Sequence, residues 1–302
     1  MGTPSLQSLS TISDFIRWGA SRFNEAGLFF GHGTDNAIDE AAALVLYALH
    51  LPHDLHASWF QSRLTAEECD CVLGLIHQRI EKRFPLPYLT GEAWFAGLRF
   101  TVNSHVLIPR SPMAELIEGG FSPWLDAEHV GRVLDLCCGG GCIGIATAVY
   151  LPDSQVDLVD ISTQALAVSE ENIQEYGLSD RVHAIQSDLF NSLDSTRYDL
   201  IISNPPYVGA EEMAGLPQEY RHEPTLALHA EEDGLDIVKR ILRDAPQYLA
   251  PDGILIVEVG NTASLLQDTY PNMPFVWLDF AKGGDGVFLL RAEDLAQYTD
   301  SI

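Results

Sequence analysis

Asn204-Pro205-Pro206-Tyr207 directly follows the apolar run Tyr198-Asp199-Leu200-Ile201-Ile202-Ser203, which places the tetrapeptide at the carboxyl end of a buried strand. Open α/β sheets bind their ligands along that edge. The tetrapeptide offers a carboxamide, a turn stiffened by two prolines, and an aromatic face. Such a set suits a planar amide or amino group, and the chemistry it points to is group transfer onto nitrogen, methylation above all. A proline-rich turn beside an incidental tyrosine would carry the same letters. The rest of the chain has to discriminate.

A second chemical feature lies upstream. Val133-Leu134-Asp135-Leu136 leads into Cys137-Cys138-Gly139-Gly140-Gly141-Cys142-Ile143-Gly144, the pattern of a strand, a glycine turn and a helix start, and Gly139, Gly141 and Gly144 satisfy G-x-G-x-x-G. Asp160 ends the next apolar strand, 19 residues beyond Gly141, where a carboxylate takes ribose hydroxyls in a dinucleotide or an adenosyl cofactor alike. The loop alone does not choose. Asp135, just before the turn, sets an anion where a pyrophosphate would lie. Ser187-Asp188-Leu189-Phe190 ends the third strand with an acceptor for an adenine amino group and apolar contact beside it; a turn cap is the plainer reading of Asp188. Asp135, Asp160, Asp188 and Asn204 each end a successive strand on one edge, and that shared register favours S-adenosylmethionine over a nicotinamide dinucleotide.

These side chains need a sheet to carry them. Apolar strands near 132–136, 155–160, 182–186, 198–203 and 253–259 alternate with amphipathic segments near 142–150, 162–176 and 233–249, the pattern of a doubly wound, mainly parallel sheet. Phe275-Val276-Trp277-Leu278 and Val287-Phe288-Leu289-Leu290 flank Gly283-Gly284-Asp285-Gly286, which predicts an antiparallel final strand. Residues 1–85 read as helices: Phe15, Trp18, Phe23 and Leu28 mark one stripe, 41–49 another, and Thr65-Ala66-Glu67-Glu68 is a capping box. From Tyr88 to Arg110, aromatic and β-branched residues alternate around Gly91, Gly97 and Asn103, which predicts a hairpin. The expected organisation is a helical domain over 1–85, a β-hairpin linker over 86–112 and an α/β domain over 113–302. Trp18, Trp59 and Trp94 read as core or interface anchors. Arg110 and Glu115 read as a structural ion pair, and His32 and His222 as loop residues that the chemistry does not need.

With 302 residues, 46% hydrophobic and 20% charged, the composition is that of a globular protein. No uncharged apolar run approaches the roughly 20 residues that span a bilayer, and no basic-then-apolar leader opens the sequence. Cytoplasmic residence is expected. Met1-Gly2 does not make a myristoylation signal, because position 6 is Leu. Cys69, Cys71, Cys137, Cys138 and Cys142 are an odd set without Cys-x-x-Cys spacing, so neither a disulfide framework nor a metal is expected. The formal charge is −26, with 11 acidic and 8 basic side chains in residues 1–112 against 32 and 9 in 113–302. An acidic second part repels nucleic-acid phosphates and suits a basic protein partner.

Taken together, these residues resemble the protein glutamine methyltransferases that modify release factors and ribosomal protein. The landmarks span nearly the whole chain: Pro87-Tyr88-Leu89-Thr90-Gly91, Val106-Leu107-Ile108-Pro109-Arg110, the Asp135 loop, Ser187-Asp188-Leu189, Asn204-Pro205-Pro206-Tyr207, Glu223-Pro224 with Ala227-Leu228, Asp233-Gly234 and Glu258-Val259-Gly260. Gly31-His32-Gly33-Thr34-Asp35, Pro109-Arg110-Ser111-Pro112, Tyr220-Arg221-His222-Glu223-Pro224 and Gly283-Gly284-Asp285-Gly286 are similar to the branch that methylates protein three of the large ribosomal subunit. The release-factor branch carries Pro-Arg-Pro-Asp-Thr-Glu after the hairpin, from which Ser111 and Pro112 depart. The resemblance implies a Rossmann-like seven-stranded methyltransferase sheet, a helical substrate-recognition domain, S-adenosylmethionine as donor and a glutamine amide of that ribosomal protein as acceptor. It implies Asp135, Cys137, Gly139 and Gly141 as the methionine-side loop, Asp160 and Ile161 at the ribose, and Asp188 and Leu189 at the adenine. Asn204, Pro205, Pro206 and Tyr207 are then the substrate clamp, Asn204 also facing the cofactor. Cys137 replaces the first glycine of the usual D-x-G-x-G-x-G loop, so cofactor affinity is the property it bears on. Release factors, the adenine amino group of DNA, and hydride transfer with NAD are the alternative readings.

Overall fold

A computed structural model describes residues 9–230 and 233–298 of the chain; the Met1-Gly2 pair lies outside the described residues. Chain packing divides it into two compact units, one ending at Glu92 but also holding Pro217–His222, the other comprising Ala93–Leu216 and the chain from Glu223 onward.

The first unit is built from α1 (Ile12–Glu25), α2 (Ala37–Ala48), α3 (Ala66–Lys82) and α4 (Leu86–Thr90). Thr65 and Glu68 form the expected capping box at α3, and Thr11 with Asp14 forms a second one at α1. Phe15, Phe23, Leu44, Val72, Ile76 and Leu86 share one apolar core. The burial of Leu86 in that core carries the unit past the expected break at residue 85. Arg79 is wholly buried and pairs with Glu40 at 2.6 Å and Glu219 at 3.2 Å, while Arg83 reaches Glu219 at 3.1 Å. These ion pairs are why Pro217–His222, far along the chain, packs with the helices. His32 packs against Tyr220, and His222 against Phe84, within the same unit. Trp18 packs against this core, whereas Trp59 and Trp94 are more than half exposed and are not core residues.

The second unit opens with a hairpin, β1 (Glu92–Phe95) and β2 (Leu98–Thr101), then α5 (Met113–Glu118). The hairpin is no free linker: Phe95, Ala96 and Phe100 lie in the same apolar cluster as the sheet. Then follow β3 (Arg132–Leu136), α6 (Cys142–Tyr150), β4 (Gln155–Asp160), α7 (Thr163–Glu175), β5 (Val182–Gln186) and β6 (Tyr198–Ser203). After α8 (Ala210–Gly215), α9 (Thr225–Leu228) and α10 (Asp236–Asp244) come β7 (Leu249–Glu258), α11 (Ala263–Thr269), β8 (Val276–Trp277), β9 (Val287–Arg291) and α12 (Ala292–Tyr298). The seven-stranded sheet runs β5-β4-β3-β6-β7-β9-β8, parallel from β5 to β7 and antiparallel at β9 and β8. Successive strand residues point to opposite faces. Accordingly Val133, Leu158, Leu200 and Ile256 enter one core cluster, and Leu134, Val159, Ile201 and Val257 enter the other. Strand order reverses between β3 and β6, whose register pairs Leu136 with Ser203, so the loops after both strands begin side by side.

Candidate active site

The glycine loop between β3 and α6 is shaped by its main chain. Cys137, Gly139 and Gly141 have φ of 58°, 55° and 78°, a left-handed region that favours glycine. The loop is fastened to the end of β4: Cys138 N–H donates to the Val159 carbonyl at 3.0 Å, and Gly139 N–H to Asp160 Oδ2 at 2.9 Å. Asp160 Oδ1 accepts the Ser162 N–H at 2.8 Å. Burial raises the Asp160 carboxyl above its ordinary range, and the N–H groups of Ser162 and Gly139 oppose that shift.

Asp135 departs from its expected place. By strand alternation its side chain points toward α6, where its Oδ2 accepts the Gly144 N–H at 2.8 Å, and it is completely buried away from the ligand space. Burial pushes its carboxyl up to about 8; the Gly144 N–H opposes this and the neighbouring Asp160 charge adds to it. Gly144 is a packing glycine, since an added Cβ would lie 2.2 Å from a Leu158 methyl. Gly141 is another, with Leu158 at 2.9 Å from such a Cβ. Burial raises the thiols of Cys137, Cys138 and Cys142 well above their usual range, so none is a ready nucleophile.

A cavity of about 280 Å³ opens at the carboxyl edge of the sheet, beside the switch in strand order. Of the sequence-derived site residues, Cys137, Gly139, Asp160, Ile161, Asp188, Leu189, Asn204 and Pro206 line it. Asp135, Gly141, Pro205 and Tyr207 are not among its lining residues. Tyr207 turns instead to the end of β7, where its hydroxyl donates to Glu258 Oε1 at 3.0 Å and its ring leaves no room for a Cβ at Gly260. Asp188 lines the cavity while paired with Arg240 at 2.8 Å, a partner the sequence did not reveal.

Other contributors escaped the sequence reading. Phe100, Val102 and Val106, in and after the hairpin, form one wall. Arg110 does not pair with Glu115. It grips Glu223 through two bonds of 2.7 and 2.9 Å, and the Ile108 N–H donates to the same carboxylate. Glu115 accepts the main-chain N–H groups of Ala281 and Lys282. Glu258, buried at the end of β7, accepts from Ser111 Oγ at 2.5 Å as well as from Tyr207. Burial raises its carboxyl, opposed by Ser111, Tyr207, the Arg110 charge and the Asn204 side chain. Both acids stood within conspicuous short motifs, Glu223-Pro224 and Glu258-Val259-Gly260, but no spacing rule tied them to their partners.

The donor set fits an adenosyl cation better than a pyrophosphate. Asp160 and Asp188 face the cavity, Asp160 keeps unused lone pairs for hydroxyl donors, and the two lining guanidiniums are engaged by Glu223 and Asp188. Gly139 supplies the close approach, since a Cβ built there would meet nothing within 4 Å. Among the described residues no cluster of three His, Cys, Asp or Glu could hold a metal, and no helix is long and apolar enough to cross a membrane.

A family model described as Methyltransferase small domain matches residues 121–217. The catalytic domain of hMettl16, solved with a 3'UTR hairpin, shares the fold at TM-score 0.51 and 18% identity over 74% of this chain and 80% of that one. Sheet, site and family model together define an S-adenosylmethionine-dependent methyltransferase. Among curated relatives, the chain is 51% identical over 302 residues, all of this chain and 98% of the relative, to a ribosomal protein uL3 glutamine methyltransferase of Xanthomonas campestris pv. campestris. It is 48% identical over 297 residues, 98% of this chain and 95% of the relative, to one of Francisella tularensis subsp. tularensis. The chain belongs to the ribosomal protein uL3 glutamine methyltransferases.

Proposed function

We propose that this chain methylates the side-chain amide nitrogen of a glutamine in ribosomal protein uL3, using S-adenosylmethionine. The observation that carries the reading is that Asn204 and Pro206 line the same cavity as the glycine loop and Asp160. When bound, the cofactor supplies an electrophilic methyl group on a sulfonium. Cys137, Gly139, Asp160, Ile161, Asp188 and Leu189 hold it, with Asp160 accepting ribose hydroxyls and Asp188 an adenine amino hydrogen. Asp135 acts from behind the loop, through Gly144.

An amide nitrogen is a weak nucleophile, because its lone pair is delocalised into the carbonyl. Position and polarisation must compensate. The Asn204 side-chain oxygen and the Pro205 carbonyl each accept one amide hydrogen, which fixes the nitrogen and raises its electron density. Near-attack orientation of this kind supplies on the order of 7–11 kcal/mol at best. The same oxygens stabilise the positive charge that grows on nitrogen. No general base is required, since the proton leaves once the nitrogen is cationic. Pro206 stiffens the turn, and Tyr207 closes it through Glu258. The helical unit recognises the substrate protein in the cytoplasm, and the −26 charge favours a basic protein over nucleic acid.

The test is methyl transfer from labelled cofactor to purified unmethylated uL3 and to a release factor, followed by mass mapping. Label on one glutamine nitrogen of uL3 is expected. Label confined to the release factor, or removed by nuclease from a nucleic-acid control, overturns the assignment.

A further inference from the structure

Glu258 has no part in the chemistry just described, yet it sits beside the residue that does. The parallel register of β6 on β7 pairs Ser203 with Val257, so the next residues, Asn204 and Glu258, leave the sheet as neighbours. The Glu258 carboxylate is buried and accepts from the hydroxyls of Ser111 at 2.5 Å and Tyr207 at 3.0 Å, and the neighbouring Asn204 carboxamide helps oppose the rise that burial imposes on its carboxyl. An ionised carboxylate only accepts, and an asparagine donates only through its Nδ2 end. A bond from Asn204 to Glu258 would therefore leave the carbonyl end of the carboxamide for the cavity that Asn204 lines.

We propose that Glu258 is a positioning residue for methyl transfer: by taking the Asn204 Nδ2–H, it presents the Asn204 carbonyl oxygen to the substrate amide. The proposal rests on the glutamine-amide reading above. Reversing the carboxamide would set its oxygen against the buried carboxylate and its NH2 against the hydrogens of the substrate. Two attractive contacts would become repulsive ones, and a buried acceptor would go unsatisfied. Ser111, where the chain departs from the release-factor pattern, is a second fixed donor on the same carboxylate. Ser111 and Tyr207 hold Glu258 so that its remaining acceptor capacity serves Asn204. This assigns a purpose to two residues that the cofactor and the clamp leave unexplained.

A donor swap tests it. Glu258→Gln keeps the shape but offers Asn204 an NH2 group, and kcat on uL3 is expected to fall by about 10- to 100-fold while the cofactor Kd stays within about twofold. Asn204→Asp alone faces a carboxylate with a carboxylate and is expected to be as poor. Combined, the two substitutions restore a donor–acceptor pair with an oxygen toward the substrate, and activity should recover by about tenfold or more over either single variant. A purely structural role predicts no such rescue. Unchanged kcat in Glu258→Gln, or a double variant no better than the worse single one, overturns the proposal. Should Glu258→Gln fail to fold, Glu258→Asp keeps the charge but withdraws it by one methylene; a lowered kcat at an unchanged melting temperature supports the proposal, and wild-type kcat overturns it. The wild-type chain on uL3 in the same assay separates the two readings: its inactivity removes the glutamine assignment, whereas an active wild type beside an equally active Glu258→Gln removes only the role of Glu258.

Discussion

Two carboxylates end two strands of the same sheet and gather their partners in opposite ways. Asp160, at the end of β4, accepts main-chain N–H groups from Gly139 and Ser162. Glu258, at the end of β7, accepts hydrogen bonds from the hydroxyls of Ser111 and Tyr207, residues 147 and 51 positions away in the chain. The proposed cofactor ligand is thus held by main-chain donors. The acid beside the proposed clamp is held by side-chain hydroxyls. It follows that substitutions near Asn204 should strike turnover, and substitutions near Asp160 should strike affinity.

Asn204→Ala should separate the two sides most strongly. It removes an acceptor for the developing charge and is expected to lower kcat by about 100- to 1,000-fold with cofactor Kd nearly unchanged; turnover by a quench assay and affinity by calorimetry give both numbers. Comparable turnover would remove Asn204 from the chemistry. Asp160→Ala should do the reverse, weakening cofactor binding by roughly 10- to 100-fold, as expected for hydrogen bonds to a charged group. An unchanged Kd would end its assignment to the ribose.

Asp135 gives a pH-dependent version of the comparison. Its folded carboxyl titrates near 8, above its ordinary 3.8, so the folded protein keeps a proton that the unfolded chain releases. That stabilisation is complete below the lower value and is lost as pH rises toward the upper one. The melting temperature without cofactor should therefore fall between pH 6 and pH 8, approached with a slope of ~1.4 kcal/mol per pH unit for one proton. Asp135→Asn should flatten that slope; an equal slope in both proteins would contradict the protonated carboxyl. The smallest effect is expected from Cys137→Gly, which relieves a left-handed φ of 58°. Stability should change by about 1 kcal/mol or less, because relief of that conformation is offset by the greater freedom of glycine in the unfolded chain. Denaturant midpoints measure it.

Much of the catalytic unit was legible in the sequence because its signals are local. Apolar runs marked β3 to β6 within a residue or two, and the glycines between 283 and 286 foretold the antiparallel β9. Cys137, Gly139, Asp160, Ile161, Asp188, Leu189, Asn204 and Pro206 do meet at one cavity. Asp135 was legible as a residue but not as a position: the alternation that buries Val133 on the α6 side also turns Asp135 there. The expected break at residue 85 and the end of the first unit at Glu92 differ because no local signal says which core takes the chain between them. Leu86 packs with the helices and Phe95 with the sheet.

What the sequence determined by itself was what depends on neighbours along the chain: the strands, the glycine turn, the rigid Asn-Pro-Pro-Tyr turn and the family. Only the tertiary structure decided the pairings of Arg79 with Glu219, Arg110 with Glu223, and Ser111 and Tyr207 with Glu258. A buried charge must find its partner across the fold, wherever burial leaves it no water. That partner is set by packing in three dimensions, and no periodicity along the chain records it.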